Sequence, residues 1–420
     1  MRLVRGHAEE DVQLEGLLVR IDRPGAPPMI LRAASADEAR AAYLRAIDAR
    51  LAEGYVEGTD PVTDLPARLV HADELQLRGD PLGELIAVQA ELAALPAAAD
   101  PRHRRRLEHR AAAILDEQHD AWFGSLARLV RKPSRKAPPV PVLEVSWRLG
   151  FAEDVRLRGA EQLPIHEVYA RLRELPLSRQ ILRLVAGTPD AGLGPADRIY
   201  PHTIGPSYEP LLDAMLEHGI PSRLSELVLG DVQVHQRPVL RLGHVPAVVE
   251  AAPALEALRI VGGHGDLALA SERLRLLELG DVTLDDLHRL ADAQLPGLEA
   301  LILRARARDR MSAPAVFEVF PALCRLTLDG FSRAVGAVAT TLVAYLAAAM
   351  PASLRVLALP RCALDDRDLA VIDEHPELFQ RLTRLDLRYN RFSAALAAAV
   401  KRKVPALRVD SLRERRAREL

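Results

Sequence analysis

Residues 382–392 carry leucines at the spacing of a short strand, and such a strand cannot bury them by itself. The run L-T-R-L-D-L-R-Y-N-R-F places Leu382, Leu385 and Leu387 ahead of Asn390 and Phe392. Side chains alternate between the two faces of a strand, so Leu385 and Leu387 point to the same face. A unit of this size leaves those leucines in water unless similar units pack on both sides. One well-formed unit therefore predicts several more.

The same spacing recurs along the C-terminal two thirds of the chain. Leu354, Leu357, Leu359, Cys362 and Leu364 fill every position, with cysteine in place of the asparagine. Successive units begin 19 to 31 residues apart, so two of the connections are longer than the roughly 20–29 residues usual for such a repeat. The less complete copies begin at Leu224, Leu255, Leu274, Leu298, Leu323 and, as a final cap, Val404.

This pattern resembles the leucine-rich repeat, and the chain is similar to bacterial leucine-rich-repeat proteins. The resemblance implies an α/β fold over residues 143–420, a solenoid with parallel strands on its concave face and helices or irregular segments on its convex face. Asn390 is the one asparagine of the chain. The asparagine ladder is therefore missing from the other repeats, and we expect backbone groups or water to satisfy their turns.

Residues 1–60 have a different character. Residues 11–16 alternate as a strand does, residues 20–28 are rich in proline and glycine and predict a loop, and Ser35 with Glu38 forms a capping box for a helix that ends at Gly54. The run L-R-A-A-S-A-D-E-A-R at 31–40 and the ending G-Y-V-E at 54–57 resemble a WGR domain. The likeness is degenerate because only Arg20 matches the Trp-Gly-Arg triplet. It implies a small α+β module of a kind that contacts DNA ends in poly(ADP-ribose) polymerases.

A short helical unit is predicted over residues 70–130. R-G-D-P-L-G-E-L-I at 78–86 separates two helices, of which the second covers 82–95, and a further helix is expected over 102–124. This run resembles the helical companion segment found beside bacterial leucine-rich repeats. That family has no established chemistry, so the resemblance implies no activity for this chain. Residues 131–142 are basic and rich in proline, which predicts an extended linker between this unit and the repeats.

Composition limits the classes of function. The formal net charge is −2 and aromatic residues make up 4% of the chain, so neither a strongly basic surface nor a stacking platform for single strands is indicated. Cys324 and Cys362 cannot form a disulfide framework, which suits a reducing, cytoplasmic compartment. The charge-free stretch 334–354 lies between two predicted strands, and we interpret it as a repeat helix with no membrane role.

The sequence predicts no enzyme activity, no cofactor and no metal site. The glycine-rich run 261–266 lacks the Lys-Ser/Thr pair of a phosphate loop, and no G-x-S-x-G elbow occurs. His109 and His119 are ten residues apart, which is poor spacing for one helix face. The acidic pairs at 285–286 and 365–366 follow the last apolar residue of a repeat, where they are interpreted as helix N-caps.

The predicted function is therefore the binding of an unidentified protein partner on the concave face. Arginine, tyrosine and acidic side chains alternate between the leucines there, a mixture that suits a protein interface. The candidate partner-binding residues are Glu278, Asp281, Arg304, Arg325, Asp329, Arg361, Arg384, Asp386, Arg388 and Tyr389.

The alternative is a nucleic-acid-associated protein. The WGR-like module and the densest basic run of the chain would supply the contacts, and with so few charges the expected binding is weak and strongly dependent on salt. The candidate residues for this role are Arg20, Arg23, Arg102, Arg104, Arg105 and Arg106.

Overall fold

The structure is a computed structural model, and every structural statement below refers to the part of the chain that it describes. That part comprises residues 2–5, 8–15, 18–23, 26–32, 42, 56–57, 65–96, 98–130, 142–159, 163–187, 207–231, 241–261, 265–305, 319–331 and 342–409. The predicted helix that begins at Ser35 and the predicted linker 131–142 fall almost wholly outside it.

The chain forms two compact units. The first comprises Met1–Val185, Pro189–Gly192 and Ala214–Leu224. The second comprises Ala186–Thr188, Leu193–Asp213 and Ser225–Leu420. The candidate partner-binding residues all belong to the second unit, whereas the candidate nucleic-acid residues all belong to the first.

The N-terminal strands pair in an antiparallel sheet. They are β1 Arg2–Arg5, β2 Ala8–Glu15, β3 Leu18–Arg23, β4 Ala26–Arg32 and β5 Val56–Glu57. Their order is β4-β3-β2-β1-β5. The predicted strand at 11–16 overlaps β2, but the predicted loop at 20–28 is wrong, because β3 and β4 occupy most of it. The loop was predicted because residues 27 and 28 are prolines. β4 is an edge strand, however, and proline is tolerated there because its missing N–H does not interrupt the sheet.

Four helices follow in the first unit: α1 Leu65–Leu77, α2 Pro81–Ala94, α3 Pro101–Glu117 and α4 His119–Phe123. Asp80 and Asp100 are the N-caps of α2 and α3, and the carboxylate of each accepts a hydrogen bond from the backbone N–H two residues later, at 2.9 Å. Both caps are followed by proline at the first helical position, where its missing N–H costs nothing. The predicted helices at 82–95 and 102–124 are confirmed, the second as α3 and α4.

The remaining described strands form one mostly parallel sheet of eleven strands. They are β6 Leu143–Arg148, β7 Phe151–Leu157, β8 Arg183–Gly187, β9 Glu226–Asp231, β10 Ala257–Val261, β11 Leu276–Val282, β12 Ala300–Ala305, β13 Arg325–Asp329, β14 Val356–Ala358, β15 Arg384–Asp386 and β16 Leu407–Arg408, in sequential order. β6 and β7 form an antiparallel hairpin, whereas each successive pair from β9 to β16 is parallel.

The leucines of the sequence pattern lie side by side across this sheet. One in-register row consists of Leu227, Leu258, Leu277, Leu301, Leu326, Leu357, Leu385 and Leu407, each at most 1% exposed. A second row, two residues further along each strand, consists of Leu229, Ile260, Leu279, Leu303 and Leu328, and is also buried. The predicted strand register is therefore confirmed: each strand buries its leucines against those of its neighbours, as the sequence pattern required.

Eight further helices connect the strands. They are α5 Ile165–Arg173, α6 Glu209–Glu217, α7 Val245–Ala251, α8 Leu284–Leu290, α9 Leu342–Ala349, α10 Asp366–Glu374, α11 Pro376–Gln380 and α12 Ala394–Lys403. Within the described ranges, no helix is long and apolar enough to cross a membrane.

The helix starts agree only in part with the predicted caps. Asp365 caps α10 and forms a capping box with Asp368, as its position predicted. At α8 the cap is Thr283, and Asp286 is its capping-box partner three residues later. Thr283 was not predicted because the acidic pair after it carries the more obvious charge signal.

Candidate interaction surface

The side chains between the buried leucines lie on the opposite face of the strands, which we call the polar strand face. Its central row is also in register across β9 to β16. Two of its members, Glu278 and Asp386, are nearly inaccessible to water. Arg408 of β16 is in register with Asp386 of β15. Arg408 was not among the residues that the sequence predicted for this face. The row consists of Val228, Arg259, Glu278, Ile302, Thr327, Ala358, Asp386 and Arg408.

Ion pairs connect neighbouring strands on this face. Arg259 of β10 is the first link: its Nε donates to Glu226 Oε1 at 2.7 Å, and its Nη1 donates to Glu278 Oε2 at 2.5 Å. Arg304 of β12 approaches Glu278 from the other side, and its Nη1 donates to Oε1 at 2.5 Å. Burial alone would lower the pKa of Arg259, but its hydrogen bonds to the two glutamates outweigh burial and raise it.

The series of ion pairs continues beyond β12. Arg304 Nε lies 3.9 Å from Asp329 Oδ2. Arg361, in the turn after β14, binds Asp329 through two nitrogens of its guanidinium group: Nε donates to Oδ1 at 2.8 Å and Nη2 donates to Oδ2. This hydrogen bonding raises the pKa of Arg361. We call these alternating residues the arginine–carboxylate chain: Glu226, Arg259, Glu278, Arg304, Asp329 and Arg361.

A second cluster lies around β15. Arg388 donates from Nε to Asp386 Oδ1 at 2.8 Å and from Nη2 to Oδ2 at 2.9 Å, while Arg384 Nη2 donates to Oδ2 at 2.6 Å. The guanidinium carbon of Arg388 lies 5.8 Å from the centre of the Tyr389 ring, within cation–π range. We call Arg384, Asp386, Arg388 and Tyr389 the terminal cluster.

Hydrogen bonding sets the charge state of the terminal cluster. Burial would raise the pKa of Asp386, but the hydrogen bonds from Arg388 and Arg384 outweigh burial and lower it below the ordinary value of 3.8. A carboxylate with a lowered pKa stabilises the folded state above the unfolded-state pKa, and that contribution disappears as the pH falls through the folded-state pKa.

Asp386→Asn is therefore expected to destabilise the protein at pH 7 and to weaken the loss of stability on acidification below about pH 4. Urea denaturation at pH 7 and pH 3 measures both effects. Asp292→Asn is the matched control, because Asp292 is exposed and we expect its removal to change neither. An unchanged acid dependence in Asp386→Asn would show that this carboxylate is not held by its arginines.

The turns that follow several strands share a left-handed backbone. The residue just before the asparagine position has a positive φ in four repeats: 52° at Asp281, 78° at Gly330, 56° at Arg361 and 66° at Tyr389. This conformation is unfavourable for residues other than glycine and persists where the surrounding structure enforces it. The same turn therefore positions Arg361 and Tyr389 at the ends of neighbouring strands.

Asn390 holds its turn through three main contacts. Its Nδ2 donates to Leu359 O at 2.7 Å and to Leu387 O at 2.9 Å, and its Oδ1 accepts from Leu364 N at 3.2 Å. The side chain is 1% exposed. It thus links the end of one strand to that of the preceding one.

Cys362 takes the corresponding place one repeat earlier. Its thiol donates to Leu328 O at 3.1 Å, the same type of contact that Asn390 makes to Leu359. The expectation that only backbone or water satisfies the turns without asparagine is therefore wrong at this position. Burial raises the pKa of the Cys362 thiol to about 12.

The two thiols should differ sharply in reactivity. Thiolate is the reactive form, so Cys362 is expected to resist alkylation by iodoacetamide between pH 7 and 9, whereas the half-buried Cys324 is expected to react. Mass spectrometry of the native protein should find one modified cysteine, and a second only after unfolding. Rapid native labelling of a Cys324→Ser variant would contradict the burial of Cys362.

The structure brings together eight of the ten predicted partner-binding residues. Four belong to the arginine–carboxylate chain and four form the terminal cluster. Arg325 is exposed at the start of β13, and Asp281 is half-buried in the turn at the end of β11. The sequence predicted which side chains share the face, but not that its carboxylates are buried beneath arginines.

The predicted nucleic-acid residues lie elsewhere. Arg102, Arg104, Arg105 and Arg106 occupy the start of α3, where Arg106 Nη2 lies 3.2 Å from His103 Nδ1 and Arg104 Nη2 donates to a backbone carbonyl at 3.5 Å. Arg20 and Arg23 lie in β3, and their side chains are outside the described part of the chain.

The described ranges contain no group of three or more histidine, cysteine, aspartate or glutamate side chains placed to hold a metal ion. 

Comparison with known proteins assigns no function to this surface. No protein-family model matches the sequence. The search of curated proteins also found no match. Among solved structures, a structural-genomics target from Bacteroides fragilis aligns with 98% of this chain and 95% of its own, with 14% sequence identity and a TM-score of 0.45.

Proposed function

We propose that the chain is a cytoplasmic, non-enzymatic interaction protein whose leucine-rich-repeat solenoid binds a protein partner on the polar strand face. The in-register rows of buried leucines support the repeat assignment, because each strand depends on its neighbours for burial. Repeat arrays of this kind present extended surfaces of strand side chains that suit partner binding. In this proposal the polar strand face is the concave surface.

The observation that carries the proposal is the ordered set of charged side chains on that face. Arginine and tyrosine are among the residue types that contribute most at protein interfaces. Here Arg361 and Arg388 are each fixed by two hydrogen bonds to a buried carboxylate. Side chains that are already ordered lose less conformational entropy when a partner binds. A surface held in place in this way is suited to recognition.

The N-terminal sheet and the helical unit fit the same proposal as accessory modules. We assign residues 1–60 as a degenerate WGR-like module and residues 70–130 as the repeat-companion unit. Nucleic-acid binding by the first unit remains the alternative, with Arg20 and Arg23 of β3 and the four arginines at the start of α3 as its contacts. Those few charges predict weak binding that physiological salt removes.

Affinity capture from the source cell, with and without nuclease, tests the proposal. The bait is the full chain, compared with the double variant Arg361→Glu/Arg388→Glu and with the control Arg102→Glu/Arg105→Glu in α3. We expect a protein partner that survives nuclease, is retained by the control and is lost from the strand-face variant. A partner that the strand-face variant retains, or that nuclease releases, would contradict the proposal.

A further inference from the structure

The charges of the polar strand face are unequally accessible. The side chains of Glu278, Asp329 and Asp386 are 7%, 8% and 4% exposed. The arginines that bind them are far more open: Arg304 is 47% exposed, Arg361 63%, Arg384 41% and Arg388 38%. Although acids and bases are nearly balanced in these ion pairs, the charged groups that a partner would meet there are largely guanidinium groups.

We propose that the partner presents an acidic peptide segment, which binds across Arg304, Arg361, Arg384 and Arg388. This inference rests on the proposed function, since it names the chemistry of the partner for the same face. Guanidinium groups recognise carboxylates through paired, parallel hydrogen bonds, a geometry in which arginine is superior to lysine.

The orientation of Arg361 favours a second carboxylate. A guanidinium has five N–H groups in a rigid plane, and Asp329 engages it from the side through Nε and Nη2. The edge formed by Nη1 and Nη2 points away from Asp329 and presents a second fork. Because the left-handed backbone at φ 56° fixes Arg361 at the end of its strand, this fork is held in position before a ligand arrives.

The terminal cluster extends the same arrangement. Asp386 engages Arg388 from the side through Nε and Nη2, as Asp329 engages Arg361. The Tyr389 ring, 40% exposed, lies beside the Arg388 guanidinium and adds an apolar surface next to the charges. An acidic segment with one apolar or aromatic residue would use both features.

The same charges favour a peptide over duplex nucleic acid. The four arginines and the three carboxylates beneath them leave one net positive charge. Duplex affinity comes from many neutralised phosphates, which a surface with one net charge cannot supply. A peptide carboxylate can instead be placed on the second fork of Arg361, and others beside the exposed guanidinium groups of the remaining three arginines, at a spacing that the peptide sequence sets.

Fluorescence anisotropy with the full chain tests the inference. The probes are fluorescein-labelled poly-L-glutamate of about 20 residues, poly-L-lysine of the same length and a duplex DNA of similar charge. We expect poly-L-glutamate to bind best and to dissociate as salt is added. Arg361→Gln/Arg388→Gln should weaken that binding by about tenfold or more, whereas Arg102→Gln/Arg105→Gln should not. Arg361→Lys keeps the charge but loses the fork, so its affinity for poly-L-glutamate should lie between those of the two double variants. It tests the same inference if the Arg361→Gln/Arg388→Gln variant folds poorly.

The outcomes separate this inference from the proposed function. If poly-L-glutamate does not bind, yet the captured partner still requires Arg361 and Arg388, the acidic segment is wrong and the interaction surface stands. Equal binding of poly-L-glutamate by wild type and the Arg361→Gln/Arg388→Gln variant would also overturn the inference. Tighter binding of the duplex, with the same dependence on Arg361 and Arg388, would overturn it in favour of nucleic acid.

Discussion

Leu385→Ala is expected to lower the free energy of unfolding by about 2–5 kcal/mol. Leu385 is fully buried and lies in register between Leu357 and Leu407 of the adjacent strands. Shortening it removes apolar contacts with both neighbours and leaves a cavity that a parallel sheet cannot easily close. Urea denaturation followed by circular dichroism measures the loss.

An exposed leucine provides the matched control for that experiment. Leu77, at the end of α1, is 89% exposed, so Leu77→Ala should change the unfolding free energy by no more than about 0.5 kcal/mol. Leu357→Ala should resemble Leu385→Ala. If both buried positions behave like Leu77, the leucine rows do not form the core.

Asn390→Ala is expected to cost about 2–4 kcal/mol, the second largest effect. The substitution leaves the carbonyls of Leu359 and Leu387 and the N–H of Leu364 without their side-chain partner at a buried site. An unsatisfied buried polar group costs about 1–3 kcal/mol, and the losses at one turn are not fully additive. Thermal and urea unfolding should both report this loss.

Asn390→Cys is the informative comparison at the same position. Cys362 occupies the corresponding place one repeat earlier and donates its thiol to the equivalent carbonyl. The cysteine variant should therefore retain part of the stability that the alanine variant loses. Full stability in Asn390→Ala would contradict a structural role for the side chain, whatever the cysteine variant shows.

The sequence predicted the core of the repeat region well because its signal is local and periodic. Leu357 and Leu359 alternate as strand residues do, Leu354 precedes them at the fixed spacing of the repeat, and the structure buries all three. Helices α5 and α6 were missed. α5 starts after Pro164 without a side-chain cap, although Ile165, Val168 and Leu172 have helical spacing and are buried. That spacing could have revealed it.

The candidate surface was predictable in composition but not in arrangement. Alternation along the strands indicates which residues face away from the leucines, so Glu278, Arg304 and Asp386 were placed correctly on one face. The pairing of Arg361 with Asp329 joins residues 32 positions apart in sequence and depends on a left-handed turn. Burial of the carboxylates beneath long arginine side chains is likewise a property of three-dimensional packing.

Site-specific photocrosslinking in the source cell tests the central claim most directly. A photoreactive benzoylphenylalanine replaces Thr327 on the polar strand face or, as the control, Glu374 on the exposed side of α10. The account predicts a covalent adduct with one protein partner from Thr327 and none from Glu374. Crosslinking of that partner from Glu374 but not from Thr327 would contradict the account, since the partner would then bind the helical side.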